Sequence, residues 1–151
     1  MPVSRNHKLV VLGGERVGKT AIIEQFIFGN HVIGQSGLPT LGDVYEATVE
    51  TEKGPYEKLH IFDTPGSLFT DKEKEYEQEH YLNIADGYLL VYEITSKASY
   101  DLVLALRQKI ASRNRDATIV IIGNKCDLNA IREVDSSKAS QQCKTHGVKF
   151  Y

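Results

Sequence analysis

Gly13-Gly14-Glu15-Arg16-Val17-Gly18-Lys19-Thr20 is the stretch that decides the fold. It fits G-x-x-x-x-G-K-[ST], the pattern of a loop that cradles phosphate. Lys8-Leu9-Val10-Val11-Leu12 ahead of it reads as a short buried strand. Ile22, Ile23, Phe26 and Ile27 behind it recur at helical spacing. Strand, glycine-rich turn and helix is the order the motif requires. The glycines let the backbone curl until several N–H groups face one anion. The helix that follows adds the positive end of its dipole. Lys19 is placed to reach the terminal phosphates, and Thr20 to offer its hydroxyl to a magnesium ion. The competing reading is a plain glycine-rich turn before a helix, and the later motifs weigh against it.

At 151 residues the chain is long enough for one domain with a real core. An apolar share of 41% and a charged share of 25% belong to a soluble globular protein. The net charge of −2 favours neither nucleic acid nor an anionic membrane as a general partner. The two cysteines, Cys126 and Cys143, form no C-x-x-C pair and suggest no disulfide framework, so a reducing setting, cytoplasmic or nuclear, is expected. Met1-Pro2-Val3-Ser4-Arg5-Asn6-His7 lacks the apolar run of a secretory signal and the glycine of a myristoylation site. No stretch reaches transmembrane length.

From Gly29 to Gly42, four glycines and Pro39 mark a mobile loop. Residues 44–51 read as a strand, with Tyr45, Ala47 and Val49 on one face and Glu46, Thr48 and Glu50 on the other. Lys53-Gly54-Pro55 is a turn, and residues 56–62 return antiparallel. That strand ends in Asp63-Thr64-Pro65-Gly66. An aspartate at a strand's carboxyl end, facing a phosphate loop, can hold magnesium through water. A glycine three positions on lets a backbone N–H approach a terminal phosphate.

The acid-rich segment 67–80 reads as a solvated helix face. Residues 85–94 contain a buried strand, Tyr88-Leu89-Leu90-Val91-Tyr92. Ser96 or Ser99 caps a helix whose stripe is Leu102, Val103, Leu106 and Ile110. Residues 118–122 form another buried strand. Asp135 opens a last helix to about His146, Gly147 stops it, and residues 148–151 begin one more strand. Alternating strands and helices predict an α/β fold, with a mostly parallel sheet, one antiparallel edge strand and helices on both faces. The phosphate loop, the Asp63 loop and the Gly123 region all fall at carboxyl ends of strands, where such sheets bind ligands.

Asn124-Lys125-Cys126-Asp127 names the base. A carboxylate here can accept from the ring N–H and exocyclic amine of guanine. Adenine offers no such donor pair, and an unpaired buried carboxylate is costly. Asn124 can contact the other edge and brace the phosphate loop. Lys125 can lay its stem along the base. Cys126 reads as a packing residue.

These motifs, in this order, resemble the Ras superfamily of small GTPases, a likeness spanning nearly the whole chain and implying the Ras-like P-loop NTPase fold. Several pieces resemble the kappaB-Ras group, the NF-kappaB inhibitor-interacting Ras-like proteins: Thr20-Ala21-Ile22 with Glu24-Gln25, Gly29-Asn30-His31, Asp43-Val44-Tyr45, Val49-Glu50-Thr51, His80-Tyr81, Ala85-Asp86-Gly87 and Gly123-Asn124-Lys125. The resemblance implies binding of GTP or GDP with Mg2+ by the loop Gly13, Gly14, Glu15, Arg16, Val17, Gly18, Lys19 and Thr20, with Ala21, Thr40, Asp63, Gly66, Asn124, Lys125 and Asp127. Thr20 and Thr40 are the implied magnesium ligands, Thr40 only around a triphosphate, with Asp63 acting through water. The loop through Thr40 is the implied first switch, and residues 66–81 the second. His31 lies near where the family stacks a ring on the base; a solvent-facing loop histidine is the alternative.

Three departures stand out. Glu15 replaces the usual glycine, crowding the entry of an activating arginine finger and repelling the terminal phosphate. Ser67 replaces the glutamine that orients the attacking water and is too short for that task. Arg16, in the phosphate loop, is expected to face solvent. Slow hydrolysis and a poor response to activating proteins follow, and no catalytic residue is singled out. Third, a Ras-like domain is expected to continue past Tyr151 with a base-contacting loop and a final helix, so residues 1–151 read as one C-terminally truncated domain. The chain carries no C-a-a-X membrane anchor at its end. By resemblance the partners are the inhibitory ankyrin-repeat proteins of NF-kappaB, with regulators of Ral GTPases as a second class, and the protein is a monomer. The alternative function is an ordinary cycling GTPase switch in another pathway. A nucleotide kinase is disfavoured by Asn124-Lys125-Cys126-Asp127 and by the lack of a lid.

Overall fold

The computed structural model describes residues 5–29, 42–52 and 54–151. The chain runs β1 (Asn6–Gly13), α1 (Lys19–Phe28), β2 (Asp43–Thr51), β3 (Gly54–Asp63), α2 (Glu75–Ile84), β4 (Gly87–Glu93), α3 (Lys97–Arg113), β5 (Thr118–Asn124), α4 (Ser136–Thr145) and β6 (Lys149–Phe150). The strands form a six-stranded sheet in the order β2-β3-β1-β4-β5-β6. β2 pairs antiparallel with β3, and every other pairing is parallel. The α/β architecture with one antiparallel edge strand is therefore as expected.

Alternation along the central strands feeds two apolar layers. Val10 and Leu12 of β1 join Leu90, Tyr92 and Ile121 under α3, whose Val103, Leu106 and Ile110 are buried. Val11 points the other way, with Ile61 and Val91, toward Ile23 of α1. That second layer is smaller. It leaves a wholly apolar hollow of about 220 Å³ lined by Leu9, Ile22, Phe26, Leu59 and Leu89 among others. Phe26, expected on the buried stripe of α1, is 59% exposed at its rim.

Two elements differ from expectation. The segment 67–80 is not one helix. It runs as turns and a short 3-10 stretch, Lys72–Lys74, before α2 begins at Glu75. Asp71 accepts from the Glu73 N–H and fixes that start, while Leu68 turns into the main core. The acid-rich face is solvated, but Gln78 and Leu82 line a buried inner side. β5 continues to Asn124 because Glu93 at the end of β4 lies in register with it. Ser96 caps α3 by accepting from the Ser99 N–H, and Asp135 caps α4 by accepting from the Lys138 N–H. No helix among the described residues is long and apolar enough to cross a membrane.

Candidate nucleotide-binding site

β1 ends at Gly13, and the loop to α1 turns on two left-handed residues, Arg16 (φ 59°) and Gly18 (φ 98°). Arg16 is exposed and Val17 is buried beneath the loop. Lys19 opens α1 and folds back, its Nζ donating to the carbonyls of Gly13 (3.2 Å) and Gly14 (2.7 Å). Only 6% of it is exposed. Burial lowers its pKa to about 8, against the opposing pull of Asp63 and Glu15. Ala21 follows in the first turn of α1.

Asp63, the last residue of β3, is fully buried. The Thr20 hydroxyl donates to its Oδ2 at 2.5 Å. A hydroxyl and a carboxylate thus meet at the helix N-terminus, the hard-oxygen chemistry that suits magnesium. Among the described residues no cluster of three or more His, Cys, Asp and Glu is placed to hold a metal. Magnesium does not need one, since phosphate oxygens and waters complete its shell. Thr40 and His31 lie outside the described residues.

Gly66 packs directly on the phosphate loop. A Cβ placed there would lie 2.5 Å from the Glu15 Cα and 2.8 Å from its nitrogen. Only a residue without a side chain permits that approach. Glu15 is therefore shared ground between the phosphate loop and the segment after Asp63. The next residue, Ser67, accepts from the Lys74 Nζ at 2.6 Å.

Asn124 bridges the two ends of the site. Its Nδ2 donates to the Val17 carbonyl at 2.9 Å, and it lies so close to Gly18 that a Cβ there would sit 2.2 Å from that nitrogen. Lys125 takes a left-handed conformation (φ 65°) and forms an ion pair with Glu93. Asp127 is exposed in the 3-10 stretch Cys126–Ile131. Cys126 is exposed as well, not packed inside. Its Sγ donates to the Gly123 carbonyl at 3.4 Å, because the left-handed turn at Lys125 directs the following side chain outward.

The chain matches the Ras family over residues 8–151. It belongs to the Ras family. It is also 41% identical over 146 residues to NF-kappa-B inhibitor-interacting Ras-like protein 1 of Mus musculus, covering 95% of this chain and 74% of that protein. The human protein of the same name is 40% identical over the same length. NF-kappa-B inhibitor-interacting Ras-like protein 2 of Gallus gallus is 38% identical over 151 residues, covering 99% and 77%. This is a kappaB-Ras-like member of the Ras superfamily.

Within this Ras-family frame the structure gathers Gly13 to Thr20, Asp63, Gly66 and Asn124 at the carboxyl ends of the inner strands β1, β3 and β5, with Lys125 and Asp127 following on the β5 side. Sequence reasoning missed three neighbours. Thr64 donates from Oγ1 to the Val11 carbonyl at 2.7 Å, tying the Asp63 loop to β1. Lys74 reaches Ser67 from seven residues away. Glu93 ends the apolar strand Gly-Tyr-Leu-Leu-Val-Tyr, and an acid at such a position was the available signal.

Proposed function

We propose that this Ras-family chain binds guanine nucleotide tightly, hydrolyses GTP slowly and works mainly as a GTP-loaded docking module. Inhibitors of NF-kappaB are the proposed partners, from the names of its relatives. In this reading Lys19 exchanges its two carbonyl partners for phosphate oxygens, and the N–H groups of residues 14–20 surround the same anion. Thr20, with Asp63 acting through water, would hold magnesium, which when bound supplies positive charge to the phosphate oxygens. Asn124 and Asp127 read the base, and Gly66 donates its N–H to the terminal phosphate.

The observation that carries the slow-hydrolysis reading is the contact between Gly66 and Glu15, next to the engaged Ser67 hydroxyl. Glu15 brings a carboxylate to the side from which a terminal phosphate and any arginine finger approach. Ser67 accepts from Lys74, and its side chain is too short to orient an attacking water. Hydrolysis therefore lacks both the orienting group and the free entry that accelerate it.

Nucleotide content after purification, followed by single-turnover hydrolysis, tests the proposal. Bound GTP with very slow turnover supports it, as does acceleration in Glu15→Gly with Ser67→Gln. Bound GDP with ordinary Ras-like turnover overturns it and makes the protein a cycling switch. Partner capture by purified inhibitor-of-NF-kappaB protein, compared between GTP- and GDP-loaded samples, tests the docking half.

A further inference from the structure

The Lys125–Glu93 pair has no role in the reading so far. Glu93 is the last residue of β4, in register with Asn124 of β5. Its backbone is tied to the first turn of α3: its N–H donates to the Ser99 Oγ at 3.1 Å, and that hydroxyl gives its single proton to the Ser96 carbonyl at 2.8 Å. Ser99 is itself held in the first turn of α3 by the Ser96 cap. The carboxylate thus stands on a rigid strand end at the lip of the base site. Its side chain is 21% exposed and that of Lys125 is 32% exposed. The ammonium of Lys125 is drawn to it.

A lysine stem is flexible, and ordering it on ligand binding costs entropy. An anchored ammonium removes part of that cost before the ligand arrives. We propose that Glu93 is a positioning residue for guanine-nucleotide retention: it holds Lys125 by its charged end so that the alkyl stem is set in place to cover the base. This deepens the reading in which residues 124–127 bind the base, and it rests on that reading. Glu93 acts at the base end, so its effect is the same for GDP and GTP.

The test is dissociation of fluorescently labelled GDP and GTP from the whole chain. Glu93→Gln keeps the shape and removes the charge. About a five-fold faster release of both nucleotides is expected, the size of a partly exposed ion pair. Glu93→Asp, which withdraws the carboxylate by one methylene, falls between. Glu93→Gln added to Lys125→Met changes nothing further, because the pair is already broken. Thermal melting within a few degrees of the unmodified protein separates positioning from loss of fold.

Unchanged release in Glu93→Gln overturns the inference. So does acceleration for GTP alone, which would place Glu93's influence at the phosphate end. Asp127→Asn is run alongside and should shift preference from guanosine to xanthosine diphosphate, since the exocyclic amine then loses its acceptor. If it does shift while Glu93→Gln is silent, only the inference fails. If Asp127→Asn leaves guanine preference intact, the base-site reading fails and takes the inference with it.

Discussion

Gly66→Ala probes the contact on which the proposed nucleotide chemistry turns. The added Cβ would lie 2.5 Å from the Glu15 Cα, 2.7 Å from its Cγ and 2.8 Å from its nitrogen, whereas ordinary contact begins at 3.4 Å. The two segments must therefore part by 3.4 − 2.5 = 0.9 Å at the tightest point. Two of the three atoms are backbone, so rotation of the Glu15 side chain does not relieve the crowding. Overpacking of this kind costs about 1–3 kcal/mol. A Gly66 N–H bond to the terminal phosphate, of about 2.9 Å, would stretch to about 3.8 Å and be lost. Such a loss is worth about 1–3 kcal/mol, or roughly 5- to 150-fold in affinity. GDP has no terminal phosphate to lose. GTP should therefore dissociate much faster from Gly66→Ala, with GDP nearly unchanged, in a competition assay with labelled nucleotides. Adding Glu15→Gly should not restore GTP retention, because the Cα and nitrogen remain. Equal effects on both nucleotides, or rescue by Glu15→Gly, would refute the reasoning.

Three further outcomes are expected. Lys19 titrates at about 8 in the free protein, and phosphate oxygens favour its ammonium, so nucleotide binding at pH 8.5 should take up about three-quarters of a proton; calorimetry in buffers of different ionisation enthalpy reads this, and zero uptake contradicts it. The same lowering below a free lysine's 10.5 means that the lysine's burial cost is fully present below about pH 8 and is relieved as pH rises from there toward 10.5, a sign opposite to that of a paired lysine. Ile110→Ala, at 1% exposure in the main core, should lose about 2–5 kcal/mol in urea unfolding at unchanged nucleotide preference. Gln78→Ala removes the amide that donates to the Leu68 carbonyl at 2.8 Å and accepts from Lys109, so amide exchange should quicken across residues 67–74 while β4 and β5 stay protected.

Much of this architecture was legible because its signals are local. The strand, glycine loop and helix around Lys19, the alternation in 44–51 and the caps Ser96 and Asp135 depend on neighbours in the chain. The antiparallel edge was expected from a turn at 53–55, yet Gly54 and Pro55 already belong to β3, and Lys53 lies outside the described residues. What periodicity could not supply were contacts across the sheet. Phe26 sits at helical spacing with Ile22 and Ile23, yet the layer on its side is too thin to bury it. The acids of 67–80 concealed that Leu68 and Gln78 turn inward, since two buried residues in fourteen make a weak stripe. Cys126 was read as packing because cysteine is often buried, but the backbone handedness at Lys125 decides its direction. Glu93 and Lys74 matter through partners distant in the chain or across a turn, which no local pattern marks.

The amide of Asn124 that clasps the Val17 carbonyl has a consequence for synthesis. The two residues are separated by 107 positions. At about 5–20 residues per second, the ribosome delivers the clasp roughly 5–20 s after the loop it secures. Until then the nascent anion cradle has its strand and helix but not its buckle. On the proposed reading, firm capture of nucleotide thus waits until β5 has docked beside β4. In that reading guanine nucleotide then closes a site whose two sides are already made, and is not the template on which the first half folds.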